Sequence, residues 1–128
     1  MRLLIDTHTF LWFVTNDPLL SAAALALLVD PSNEILISPA SFWEVAIKVS
    51  IGKYPLAVPF DQFFTQGIDG NDISILPLEV RHAAVLSSLP MHHKDPFDRM
   101  IVAQAMVEQV PIVSIDVALD AYGITRIW

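Results

Sequence analysis

Four short runs, Arg2 to Ile5, Glu34 to Ile37, Ile73 to Leu76 and Pro111 to Ser114, carry apolar residues at consecutive positions and not at alternate ones. A strand that is apolar on both faces belongs inside a parallel sheet covered by helices, and this excludes most other arrangements of so short a chain. The intervening segments have helical spacing. Thr7 to Val14 sets Phe10, Leu11, Phe13 and Val14 on one side, and Asn16-Asp17-Pro18 ends it; Ser21 caps a second helix to about Val29. Pro39 and Ser41 open a longer helix that Gly52 ends. Irregular chain from Tyr54 to Pro59 leads to a helix over Phe60 to Gln66. Glu79 to Ser88 predicts an amphipathic helix with Val80, Ala83, Ala84 and Val85 or Leu86 inward. Pro96 begins a helix capped by Asp95 that runs to about Gln109, and Thr125 to Ile127 adds an edge strand. The fold class is α/β.

In such a sheet the strand ends and the starts of the following helices share one edge, where ligands bind. Asp6, Glu44, Asp98 and Asp116 all map to that edge. Each has a local explanation. Asp6, after Leu-Leu-Ile and before Thr7, reads as an N-cap worth ~1 kcal/mol, and Asp116 repeats the arrangement before Val117. Asp98 sits in a first helical turn, where the helix dipole favours acid, with Asp95 as the cap of the same helix. Glu44 interrupts an apolar helix, and Lys48 one turn on makes an exposed Glu–Lys pair the competing reading. Taken together, the four carboxylates repel one another by ~4 kcal/mol per pair at ~4 Å and an effective dielectric near 20, so the cluster takes up protons or binds a cation. Oxygen ligands suit Mg²⁺ or Mn²⁺. Such ions activate water and stabilise phosphoryl oxygens, which points to phosphodiester cleavage.

With 128 residues and no linker or repeat, a single domain over 1–128 is expected. Apolar residues make up 54% of the chain, yet no apolar run approaches the ~20 residues of a membrane span, and MRLLID meets an acid too early for a secretory signal. A cytoplasmic protein with no membrane partner is expected. Cysteine is absent, which excludes disulfides, thiolate metal sites and cysteine nucleophiles. The net charge of −7 argues against nucleic acid held by a broad basic surface, but a divalent ion in an acidic pocket reverses the local sign. The excess of apolar residues suggests a surface buried between chains, in a homodimer or against a bound partner.

The segments LLIDTHTFLW, SFWEVAIK, DPFDRMIVAQA and IVSID, in this order and spacing, resemble PIN-domain proteins of the VapC-type toxin family over nearly the whole chain. The resemblance implies a three-layer α/β/α sandwich with a central, mainly parallel sheet, and a Mg²⁺- or Mn²⁺-dependent endoribonuclease. It places the family's acidic positions on Asp6, Glu44, Asp98 and Asp116: the three aspartates hold metal, and Glu44 completes the site or orients the attacking water. Ser114 falls on the family's hydroxyl two residues before the last Asp and aids placement of a carboxylate or a metal-bound water. Asp95 matches no family position and is read as a cap or outer support. Thr7, Lys48, Lys94 and Arg99 are candidates for RNA backbone contacts, although a solvated helix face is the simpler reading for Lys48 and Arg99. His8 is read as structural, and His92 and His93 as candidates to help bind RNA or a metal, with an exposed loop as the simpler reading for both. The implied partners are an RNA substrate and a cognate antitoxin that places a basic side chain in the acidic site. Trp12, Trp43 and Phe63 fit a dimer or antitoxin groove, with core packing as the default. The alternatives are a PIN ribonuclease outside growth control, a catalytically silent PIN-like domain that binds RNA or a partner, and a phosphatase of the haloacid dehalogenase type. The last wants a second acid two residues after Asp6, where His8 stands.

Overall fold

Strand β1 (Arg2–Ile5) occupies the centre of a five-stranded sheet with the order β3-β2-β1-β4-β5 in a computed structural model that describes residues 1–128. Every pairing is parallel: β2 (Glu34–Ile37) runs beside β1 with Leu4 opposite Leu36, and β4 (Ile112–Val113) lies on the other side with Ile5 opposite Val113. The outer strands are β3 (Ile73–Ile75) and β5 (Arg126–Ile127). The chain moves outward from β1 to β2 and β3, then returns to the far side of β1. The switch point of the sheet therefore lies between β1 and β4, the place where open α/β sheets bind ligands.

Alternation within each strand divides the core in two. Leu3, Ile5, Ile35, Ile37, Ile73 and Val113 face α1 (Thr7–Val14), α2 (Ala22–Val29) and α4 (Phe60–Asp69), against Phe10, Leu28 and Phe64. Leu4, Leu36 and Ile112 face α6 (Pro96–Glu108) and the partly buried side of α5 (Val80–Ser87), against Ile101, Val102 and Ala105. Helix α3 (Pro39–Ser50) serves both sides, with Ala40 in one cluster and Val45 in the other. The result is a parallel sheet between two helical layers. No helix is long and apolar enough to cross a membrane.

The capping signals act where the sequence puts them. Ser21 accepts the N–H of Ala24, Asp95 those of Phe97 and Asp98, and Gly52 follows α3 with φ +73°. Helix α4 continues to Asp69, past the expected end at Gln66, because Asn71 Nδ2 caps the carbonyl of Gly67 at 2.8 Å and the N–H of Gly70 caps that of Gln66 at 2.9 Å.

The inward face of α5 requires a correction. Val80 is 87% exposed and Ala83 and Ala84 also face outward, whereas His82 is completely buried; only Val85 and Leu86 are partly covered. The physical reason is that His82 has both ring nitrogens satisfied. Nδ1 accepts the N–H of Glu79 at 3.0 Å, which fixes the hydrogen on Nε2, 3.0 Å from Glu108 Oε1 on α6. Hydrophobic spacing does not register a polar residue that closes a capping box from inside.

Helix α4 approaches α1 closely at Gly67. A Cβ there would lie 2.8 Å from Phe10 Cζ and 3.1 Å from Val14 Cγ1. Phe10 is buried and its ring stacks on Phe64 at 5.2 Å, so it has little room to yield. Replacing a mid-helix glycine by alanine ordinarily gains up to ~1 kcal/mol, whereas overpacking costs ~1–3 kcal/mol. The clash dominates here. Gly67→Ala is expected to lower the urea midpoint by the equivalent of ~1–2 kcal/mol, and Gly67→Ala with Phe10→Leu to recover part of it; a Gly67→Ala protein more stable than the parent would show that the two helices separate freely.

Candidate metal centre

The carboxylate that ends β1 is buried. Asp6 caps α1: its Oδ1 accepts the N–H of Thr9 at 3.0 Å and the hydroxyl of Thr9 at 2.6 Å, while Oδ2 accepts the hydroxyl of Ser114 at 2.5 Å. Burial pushes the Asp6 carboxyl above its ordinary range, and these donors, Ser114 first, oppose it. Ser114, just beyond β4, also accepts the N–H of Asp116 at 3.0 Å, so one hydroxyl joins the two strand-end aspartates across the switch point. Asp116 in turn caps the short 3₁₀ helix Val117–Tyr122 by accepting the N–H of Ala118.

Glu44 reaches the same edge from the first half of α3 and is 3% exposed. Both competing readings of it hold in part. It does pair with Lys48, Nζ to Oε2 at 3.0 Å, but the pair turns inward, and Thr7 donates to Oε1 at 2.6 Å from the start of α1. Asp98, in the first turn of α6, links the carboxylates. One oxygen each of Glu44, Asp95 and Asp98 lie within 4.8 Å of one another, as do the nearest ligand atoms of His93, Asp98 and Asp116. Burial first, then Asp95, Asp6 and Glu44, push the Asp98 carboxyl up to about 7, with His93 opposing. The sequence-derived quartet is therefore brought together, with Asp95 beside it acting as the cap of α6.

Several single residues differ from expectation. Arg99 is not on a solvated face: its guanidinium donates to the carbonyls of Leu89 and Pro90 and to the Tyr122 hydroxyl, and it is buried. Its donors satisfy loop carbonyls, a use of arginine that spacing alone does not reveal. Thr7 is also buried, within 3.0 Å of the Ser41 hydroxyl, and is committed to Glu44. Lys94 is exposed, and Lys48 half-buried. His8 is exposed against Trp12, with ring centroids 5.6 Å apart, and so does not serve as a core residue. Phe63 packs on the aromatic core with Phe10 and Phe64, whereas Trp43 is 64% exposed and meets Phe97 edge to face at 5.3 Å.

Two contributors lacked a sequence signal strong enough to single them out. Thr9 is visible only as a hydroxyl three residues after a capping Asp. His93 does not belong to a free loop: it is half-buried, its Nε2 is 2.7 Å from Asp116 Oδ2 and 3.5 Å from Asp98 Oδ2, and its Nδ1 accepts the N–H of Asp95. The His-x-Asp-Pro spacing before α6 hints at the last contact, but the contact with Asp116 joins residues 23 positions apart.

The donors that converge on Asp98 are hard carboxylate oxygens with too much negative charge for their burial, a set suited to Mg²⁺ or Mn²⁺ and unsuited to soft metals. Comparison with solved structures finds the same fold at low identity. VapBC2 from Rickettsia felis, bound to a DNA fragment from its promoter, superposes with a TM-score of 0.71 at 16% identity, covering 99% of this chain and 98% of that one. FitAcB from Neisseria gonorrhoeae gives 0.67 at 15%, covering 98% and 96%. VapBC-1 from nontypeable Haemophilus influenzae gives 0.66 at 15%, covering 99% and 97%. No curated protein matches the chain by sequence. The model of the PIN domain matches residues 3–124, and with the strand-end carboxylates in place the chain belongs to the PIN domain family.

Proposed function

We propose that this PIN domain, acting as one unit over residues 1–128, is a metal-dependent endoribonuclease and the toxin of a VapC-type toxin–antitoxin pair. The observation that carries the reading is the convergence of Asp6, Glu44, Asp95 and Asp116 on Asp98 at the switch point, with the Asp98 carboxyl raised to about 7 by burial and by its neighbours' charge. Asp6, Asp98 and Asp116 would hold Mg²⁺ or Mn²⁺, with Glu44 completing the site. When bound, the ion supplies an activated water and charge stabilisation on phosphoryl oxygens.

The chain's own residues do the rest. Thr9 and Ser114 fix both oxygens of Asp6, so its carboxylate does not turn away when substrate arrives. Thr7 and Lys48 hold Glu44 in the same manner, which leaves it placed to orient an attacking water and to accept its proton. Lys48 Nζ, half-exposed beside Glu44, and Lys94, on the loop before α6, are the cations available to RNA phosphates. Arg99 and Thr7 are committed elsewhere. The resemblance to VapC toxins, together with the VapBC and FitAB assemblies among the similar structures, supports an antitoxin partner, and the exposed Trp43 supports a buried surface in a homodimer or in that complex. The phosphatase alternative has no support from the family, and nothing acidic stands at position 8.

The first test is cleavage of a mixed RNA pool by the purified chain with Mn²⁺, beside a sample in EDTA and an Asp6→Asn variant. The wild type is expected to cut while both controls lose at least ~100-fold in rate; equal cleavage in all three would remove the metal mechanism, an inert wild type that Mn²⁺ still stabilises would mean that the chemistry or the substrate is wrong, and one that Mn²⁺ neither activates nor stabilises would favour a silent PIN domain.

A pH dependence follows from Asp98. Its folded value of about 7 lies above the ordinary carboxyl range, so in EDTA the folded chain binds more protons than the unfolded chain between pH ~4 and ~7. Stability contributed by the protonated form is present at low pH and is lost as pH rises through 7. Asp98→Asn is expected to flatten this slope and to be more stable than the wild type at pH 8 by on the order of 2 kcal/mol; parallel wild-type and variant curves in chemical denaturation between pH 5 and 8 would show that Asp98 is not the group responsible.

A further inference from the structure

We infer that His93 is a positioning residue of this metal centre: a neutral imidazole whose Nε2–H holds the Asp116 carboxylate in place. The inference rests on the proposed nuclease function and adds a member outside the acidic quartet. Three observations carry it. The ring nitrogens have different partners, with Nδ1 accepting the backbone N–H of Asp95 at 3.0 Å and Nε2 lying 2.7 Å from Asp116 Oδ2. A backbone N–H can only donate, so Nδ1 must offer its lone pair and the ring hydrogen must be on Nε2. In that tautomer Nε2 has no lone pair for an ion, and His93 serves as a donor to a ligand and not as a ligand itself.

The backbone that carries His93 is also tied down. The N–H groups of His92 and His93 both reach the Tyr122 hydroxyl, at 3.1 and 3.0 Å. Arg99, buried in α6, donates to the same hydroxyl and to the carbonyls of Leu89 and Pro90 at the start of the loop. The loop is thus fastened at both ends, by Arg99 at its start and by the Asp95 cap at its end, and the imidazole is delivered to Asp116 from a fixed frame. Asp116 needs such a partner. Its Oδ1 is engaged by Ala118 in a short 3₁₀ segment, it has the most exposed side chain of the cluster formed with His93 and Asp98, and it stands on the last element of the site. Outer partners of this kind typically contribute 10- to 100-fold to metal affinity or rate.

The test uses the full chain in three arms. With ¹⁵N-labelled histidine, the two-bond proton–nitrogen spectrum at neutral pH is expected to show the Nε2–H tautomer for the resonance lost in His93→Gln, unchanged in pattern when Mg²⁺ is added. A Nδ1–H tautomer, or a nitrogen shift typical of direct coordination, would overturn the inference. Titration with Mn²⁺ and cleavage of a defined RNA are expected to give a loss of ~10–100-fold in affinity or kcat for His93→Ala, with the substrate KM little changed. His93→Gln, which offers an N–H from the same position, should recover most of that loss. Tyr122→Phe, which removes the loop's anchor and leaves the imidazole in place, should shift both readouts in the same direction by a smaller factor. His93→Ala within twofold of the wild type in both readouts would sink the positioning role while leaving the nuclease reading intact. A wild type that binds Mn²⁺ without cutting RNA would sink the nuclease reading while the affinity arm still judges His93, and a wild type that binds no Mn²⁺ overturns both.

Discussion

The carboxylate of Asp6, at the end of the central strand, is buried, and isolating such a charge from water costs several kcal/mol unless donors meet it. Asp6 is met by three: the Thr9 N–H, the Thr9 hydroxyl and the Ser114 hydroxyl. Two come from the helix that follows β1 and one from just beyond the strand that pairs with β1 across the switch point. The arrangement requires β1 and β4 to be in register, because only then does Ser114 reach Oδ2 while the N–H of Asp6 bonds the carbonyl of Val113. The packing of the sheet and the geometry of the site are thus one problem, solved at the same residues.

The other side of the site is balanced differently. Asp95 and Asp98 come from the start of α6, where backbone dipoles favour negative charge, whereas Glu44 lies beyond the first turn of α3 and is compensated directly by Thr7 and Lys48. Asp98 has no donor of comparable quality; the nearest imidazole nitrogen, His93 Nε2, stands at 3.5 Å and is turned towards Asp116. The surplus of charge is therefore concentrated on one carboxylate, the one in contact range of both ligand groups.

The sheet was legible because its strands are too short and too continuously apolar to be helices, and because caps such as Ser21, Asp95 and Gly52 act locally. Asp6 and Asp116 were legible because strand-end position is a one-dimensional property once the strands are placed, Asp98 because it shares a first helical turn with its capping Asp95, and Glu44 because a charge interrupts an apolar helix. What escaped depends on contacts between distant segments. His82 reads as a polar interruption of α5 until Glu108, 26 residues on, is placed against it. Arg99 reads as a surface cation until the loop before it folds back and presents the carbonyls of Leu89 and Pro90. His93 reads as loop until β4 sets Asp116 beside it. In each case the partner is remote in sequence, and hydrophobic periodicity does not register a buried polar group that is hydrogen-bonded.

The charge distribution also answers the objection that an acidic chain should not act on a polyanion. Five of the fourteen acidic residues, Asp6, Glu44, Asp95, Asp98 and Asp116, belong to the site; the other nine face seven Lys and Arg, a formal charge of −2. The remaining surface is thus close to neutral, and the negative field is gathered in one pocket at the edge of the sheet. A divalent ion cancels two of those five charges where a phosphate would approach, and a field from so few groups is screened within about 8 Å at physiological salt. Away from the pocket, a nucleic-acid backbone meets little net repulsion, and within it a bound divalent ion would offer a phosphate oxygen a local cation, although three of the five formal negative charges remain. Spread over the surface, a net charge of −7 would oppose a polyanion everywhere; gathered in one pocket, most of it is confined to the place where a divalent ion would bind.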